Sequence, residues 1–128
     1  MTPPHAKILV ADDNKDLLKA VSIRLWELGY EMISATDSNQ VLQLVIQAKP
    51  DVLVLDVNMP AGDGFGVHER LKMIYEFRQI PVIYITGDRS SRLDAIADEI
   101  GAAALFHKPF RVKDLVTTID RVLQARVA

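Results

Sequence analysis

The chain has 128 residues, no cysteine and a formal net charge of -2. That length suits one domain burying roughly two-thirds of its unfolded surface, and the lack of cysteine excludes a disulfide framework and a thiolate metal site. A hydrophobic fraction of 49% with 25% charged residues fits a globular protein, and the slight negative charge argues against non-specific attachment to nucleic acid or anionic lipid.

The elements follow in chain order. MTPPHAK at the start has no apolar core of the signal-peptide kind, and no later apolar run reaches membrane-spanning length. A cytoplasmic protein is expected, with no membrane contact, no direct nucleic-acid binding and one domain over residues 1–128. KILVA, Lys7 to Ala11, predicts a first strand. Leu17, Leu18, Val21, Leu25 and Leu28 then recur at helical spacing, and Gly29 ends that helix. EMISA, Glu31 to Ala35, predicts a second strand. Asp37 or Ser38 caps a helix reaching about Ala48, with Val41, Leu42, Val45 and Ala48 inward and Pro50 as its break. DVLVLD, Asp51 to Asp56, predicts a third strand. A glycine-rich loop, Ala61 to Gly66, leads into a helix over Phe65 to Tyr75. PVIYIT, Pro81 to Thr86, predicts a fourth strand. Asp88 or Ser90 starts a helix carrying Leu93, Ile96, Ala97 and Ile100, closed by Gly101. Ala103 to His107 is a short fifth strand, and a last helix carries Val112, Leu115, Val116, Ile119, Val122 and Leu123.

The third and fourth strands are nearly continuous apolar runs, as expected of parallel strands covered on both faces. Five strand–helix units with right-handed crossovers predict a doubly wound α/β fold. In such sheets ligands bind beyond the carboxyl ends of the strands. The first strand runs into Asp12 and Asp13, the third ends at Asp56, the fourth at Thr86, and Lys108 follows the fifth. Singly, each has an ordinary explanation: Asp12 or Asp13 as a helix cap, Asp56 as a turn former, Thr86 as a β-branched strand residue, Lys108 as a solvated cation. Together they fall on one edge. Carboxylates this close repel one another unless a partner intervenes. Mg²⁺, a hard cation that takes oxygen ligands and keeps several waters, suits them, and Mn²⁺ is the expected substitute. A cation with open positions, an ammonium and a hydroxyl are the partners a transferring phosphoryl group needs. Asp56, alone on a central strand, is the expected nucleophile, with Asp12 and Asp13 holding metal and water.

Taken in order and spacing, ADDN at Ala11 to Asn14, LDVNMPAGDG at Leu55 to Gly64, YITGD at Tyr84 to Asp88 and HKPF at His107 to Phe110 resemble the receiver domain of bacterial two-component response regulators, of the chemotaxis-regulator kind. The resemblance runs from Lys7 to about Ala125. It implies a flavodoxin-like five-stranded parallel sheet in the order 2-1-3-4-5. It also implies Asp56 as phosphoacceptor, with Asp13 as a direct magnesium ligand and Asp12 acting mostly through water. The Asn58 carbonyl completes the protein ligands, and Thr86 and Lys108 engage the phosphoryl oxygens. The phosphate donor would be a phosphohistidine on a sensor histidine kinase or a phosphotransfer protein. Such a protein is not a conventional enzyme, but it catalyses its own phosphorylation and dephosphorylation. Phosphorylation would draw in Thr86 and alter the face formed by the fourth helix, fifth strand and fifth helix, to which an output domain or a downstream protein would respond. The Lys108-Pro109 bond is a candidate for the cis form seen in relatives. Pro60 is expected to extend Met59 and shape its loop, Gly62 and Gly64 to supply unusual backbone angles, and Met59 to fill a core gap. Asn58 and Asp88 flank the phosphoryl position.

One position departs from the family. Receivers usually carry Tyr or Phe three residues before the lysine; here that residue is Leu105, and alternation sends Phe106 to the opposite face. A flavodoxin or P-loop reading fails because ADDNKD puts negative charge where a phosphate loop belongs and no GxxxxGK occurs. A haloacid-dehalogenase-type phosphatase would need a second acid where Asn58 stands. The competing reading is a receiver-shaped interaction module indifferent to phosphate. Two architectures fit an ending at QARVA: a single-domain regulator, or a receiver joined to an output domain.

Overall fold

The computed structural model describes residues 6–59 and 62–127. Five strands, β1 (Lys7–Ala11), β2 (Glu31–Ala35), β3 (Val52–Asp56), β4 (Val82–Thr86) and β5 (Ala104–His107), alternate with helices α1 (Lys15–Glu27), α2 (Ser38–Ala48), α3 (Gly64–Lys72), α4 (Ser91–Ile100) and α5 (Val112–Val127). All neighbouring strands of the sheet are parallel, in the order β2-β1-β3-β4-β5. This is the expected doubly wound, flavodoxin-like sheet. A two-residue antiparallel pairing, Asn58–Met59 with Gly62–Asp63, follows β3.

Alternation along the strands builds two cores. Ile8, Val10, Val52, Val54, Ile83 and Ile85 face α1 and α5, meeting Leu18, Val21 and Leu25 from one helix and Leu115, Ile119 and Leu123 from the other. Leu9, Leu53, Leu55, Val82 and Tyr84 face the opposite way, onto α2, α3 and α4. Every residue of β3 and β4 is buried, which is why those two stretches carry unbroken apolar sequence. Met59 is buried in the second core, in keeping with its gap-filling reading.

The caps settle the alternatives that the sequence left. Asp37 caps α2, accepting from Gln40 N, and Ser90 rather than Asp88 caps α4. Gly29 and Gly101 take positive φ, 83° and 89°, at helix ends. Lys49, also left-handed, ends α2 before Pro50. Leu28, the last of the apolar residues at helical spacing, is about half exposed at the C-cap of α1. The third helix is shorter than expected, ending at Lys72. Met73 N and Ile74 N donate to Arg70 O and Leu71 O, three residues back, and this tightened last turn redirects the chain so that Phe77 enters the core. The expected role of Pro60, and the start of the glycine-rich loop at Ala61, lie outside the described residues. Among the described residues, no helix is long and apolar enough to cross a membrane.

Candidate functional site

The order of strands reverses at β1 and β3, and the acidic residues collect there, beyond the carboxyl ends. Asp12 follows β1 directly and is wholly buried. Its backbone N–H donates to Ala35 O at 3.1 Å, and its Oδ1 accepts from Asn14 N at 2.8 Å. That Asx turn leaves the capping of α1 to Asn14, whose side-chain oxygen accepts from Asp16 N and Leu17 N, both at 3.1 Å. The capping alternative for Asp12 and Asp13 is therefore replaced: Asn14 caps, and the two aspartates are spared for the site. Asp13 is exposed.

Asp56 closes β3 and is 5% exposed. Its Oδ1 accepts from Asn58 N at 3.0 Å, so the residue named as a carbonyl ligand also orients the carboxylate. Gly64 presses the start of α3 against it. A Cβ at Gly64 would lie 2.7 Å from the Asp56 carbonyl oxygen. Gly64 thus needs space rather than the unusual backbone angle expected of it. Carboxylate oxygens of Asp12, Asp13 and Asp56 all lie within 4.8 Å of one another. Burial pushes the Asp56 carboxyl above its ordinary pKa, and the charge of Asp12 adds to this, while the Asn58 N–H and Lys108 oppose it.

Lys108 reaches in from beyond β5. Its Nζ lies 2.7 Å from Asp12 Oδ2 and 3.4 Å from Asp56 Oδ2. The expected direction, across the strand ends to Asp56, is the observed one, although Asp12 is nearer. Burial alone would lower the ammonium's pKa; the contacts and charges of Asp12 and Asp56 outweigh it and hold the group above its ordinary value. The Lys108-Pro109 bond is cis. Asp12 Oδ2 is buried with the Lys108 ammonium beside it. One ammonium against three carboxylates leaves negative charge, and such an all-oxygen set fits a hard divalent cation.

Thr86 is fully buried at the end of β4, the strand beside β3. Its Oγ1 accepts from Asp88 N at 3.0 Å, and Asp88 Oδ1 accepts from Ser90 N at 2.9 Å. Asp88 therefore shapes the loop between β4 and α4. Leu105 is partly buried in the α2–α3–α4 core and Phe106 packs on the other core, 5.6 Å from the ring of Phe110, as alternation required.

Two arrangements lay beyond the sequence reading. His68 of α3 is buried, with Nδ1 2.7 Å from the hydroxyl of Tyr84, whose ring meets Phe65 edge-on at 4.7 Å. His107 bridges the β4–α4 loop and α4. Both involve side chains from separate elements, and a polar residue at a core-facing helical position is the only trace His68 leaves in the sequence.

The family model described as "Response regulator receiver domain" matches residues 8–120. Two curated proteins named "Probable transcriptional regulator ycf27", from Guillardia theta and Galdieria sulphuraria, are 35% and 37% identical over 120 residues, covering 92% of this chain and 45% of each relative. The chain thus spans less than half the length of these relatives. The chemotaxis response regulator CheY4 of Vibrio cholerae is 31% identical, with a TM-score of 0.84 over 92% of this chain and 98% of that one. The non-phosphorylated HemR receiver domain of Leptospira biflexa is 25% identical, with a TM-score of 0.83 over 92% and 94%. Sequence and structure agree, and the chain belongs to the response regulator receiver family of two-component signalling.

Proposed function

We propose that residues 1–128 act as a phosphoacceptor domain, with Asp56 taking a phosphoryl group from a phosphohistidine on a sensor kinase or phosphotransfer protein. The observation that carries this is the convergence of three carboxylates within 4.8 Å and one ammonium, 2.7 and 3.4 Å from two of them, at the sheet's carboxyl edge. An Asp56 carboxylate oxygen attacks phosphorus, the N–P bond of the donor breaks, and an acyl phosphate remains. Asp12, Asp13, Asp56 and the Asn58 carbonyl would hold Mg²⁺, or Mn²⁺ in its place. The ion supplies charge neutralisation for the phosphoryl oxygens. Lys108 neutralises a further oxygen as it leaves Asp12, and the Thr86 hydroxyl donates to another. Attack of water on the acyl phosphate returns the carboxylate, so the domain catalyses both its loading and its unloading.

The receiver then signals through the face of α4, β5 and α5, to an output domain or a downstream protein rather than to nucleic acid or membrane. A cytoplasmic location belongs to this reading. Incubation with acetyl phosphate and Mg²⁺, followed by intact mass, tests it. One phosphoryl group is expected on the wild type, none on Asp56→Asn, and none with excess EDTA. Lys108→Arg should slow labelling about tenfold, because a planar fork cannot place its charge as an ammonium does. Labelling that persists in Asp56→Asn refutes the assignment; a wild type that never labels favours a phosphate-indifferent interaction module.

A further inference from the structure

His107 closes β5, directly before Lys108, and alternation puts it on the same face as Leu105, toward α4. Its Nδ1 lies 2.9 Å from the carbonyl oxygen of Asp88 in the β4–α4 loop. Its Nε2 lies 3.0 Å from Oδ1 of Asp94, in the first turn of α4. Both partners are acceptors only. A neutral imidazole has one N–H and satisfies one of them; the imidazolium donates to both. The N–H of the same Asp88 donates to Thr86 Oγ1. A short run of contacts therefore joins Thr86, Asp88, His107 and Asp94.

The rest of α4 is lightly held. Among its residues only Ala97 is fully buried, with Leu93 and Ile100 packed partly against the core. At its far end, Lys72 Nζ donates to Ile100 O at 2.7 Å. An element with so little buried apolar surface is easily displaced, and the contacts at its first turn weigh correspondingly more in fixing where it rests.

We infer that His107 is a positioning residue, a protonated latch that ties the loop after Thr86 to the start of α4 and carries the phosphorylation signal past the missing ring at Leu105. This rests on Asp56 as the phosphoacceptor. When Thr86 turns toward a phosphoryl group on Asp56, Asp88 loses the acceptor for its N–H, the loop shifts, and its carbonyl leaves His107. The imidazolium then keeps Asp94 alone, and α4 is freed at its first turn. The charged groups around the ring are Asp94 from α4 and Arg89 from the loop; on its own strand, the neighbouring Lys108 points away to Asp12 and Asp56. Hydrogen bonds to Asp94 first and to the Asp88 carbonyl second hold the imidazolium above its ordinary pKa, against partial burial and Arg89. The latch is complete below the ordinary value near 6.5 and is lost as pH rises through the raised one. By linkage, whatever phosphorylation does to the proton, the proton does to phosphorylation.

Imidazole NMR of His107, titrated in the free protein and with beryllofluoride and Mg²⁺, tests this. In the free protein the pKa is expected above the ordinary histidine value and should fall in Asp94→Asn. On beryllofluoride binding it should fall by about 0.5, equivalent to about threefold in affinity. Correspondingly, wild type should bind beryllofluoride about threefold more tightly at pH 8 than at pH 6, measured relative to His107→Gln, which cannot titrate. An ordinary pKa unmoved by Asp94→Asn overturns the latch. A pKa unmoved by beryllofluoride, while the Asp13 and Asp56 amides shift, overturns its coupling to phosphate. Absence of any amide shift at Asp13 and Asp56 instead overturns the acceptor reading and the coupling with it, and the latch itself is then decided by the Asp94→Asn titration.

Discussion

At Gly64 a single hydrogen atom keeps α3 and β3 together. With a Cβ 2.7 Å from the Asp56 carbonyl oxygen and 3.3 Å from Leu55 Cβ, neither backbone nor core can yield cheaply. Gly64→Ala is expected to cost about 1–3 kcal/mol, the usual range for overpacking, and to slow phosphorylation of Asp56 because its carboxylate is carried on the displaced backbone. Gly87, one residue after Thr86, has no positive φ, and a methyl group placed on it would meet nothing within 4 Å. Gly87→Ala should therefore leave the melting temperature almost unchanged. Denaturant unfolding of the two variants, with acetyl phosphate labelling of each, checks both; equal stability of the two would refute the steric account.

The helices differ in how they are started, and α1 matters most because its N-terminus adjoins the acidic cluster. Asn14 satisfies two of the orphan N–H groups there, and Asp16 in the first turn suits the positive end of the helix dipole. Asn14→Ala is expected to cost about 1 kcal/mol, visible as a fall of about 4 °C in thermal unfolding. Asp13→Ala serves as the comparison: the cap is intact there, so stability without metal should not fall by a similar amount, while metal-dependent labelling should be lost.

At the scale of the molecule, the buried His68–Tyr84 pair makes stability depend on pH. Burial chiefly, with help from the Lys72 charge, pushes His68 down to about 4 from its ordinary 6.5. The unfolded chain therefore takes up the proton first as pH falls. The His68 contribution to stability is complete above pH 6.5 and is lost between there and about pH 4, by at most about 3 kcal/mol. Urea midpoints at pH 7.5 and pH 5 should differ in wild type and differ much less in His68→Asn. The same dependence in both would assign the acid sensitivity elsewhere.

Apolar runs, helical spacing and glycine stops were enough to read five strands and five helices from the sequence, because each reports a backbone period that a single chain segment sets. The strand order came with the family resemblance of the motifs. The gathering of polar groups at one edge was legible because in a parallel sheet every carboxyl end lies on the same side, and Asp12, Asp13, Asp56 and Lys108 do come together there. What the sequence could not contain was the choice among equivalent donors and acceptors. Asn14 took the cap in place of Asp12 or Asp13 because Asp12 folded back onto Asn14 N. The end of α3 depended on Phe77 reaching a core built by other elements. Lys108 lay nearer Asp12 than Asp56, and His107 found Asp88 and Asp94, because β5, α4 and the loop before α4 meet only in the folded chain. A backbone period is written locally; a hydrogen-bond partner on another element is decided by the packing that brings the two together.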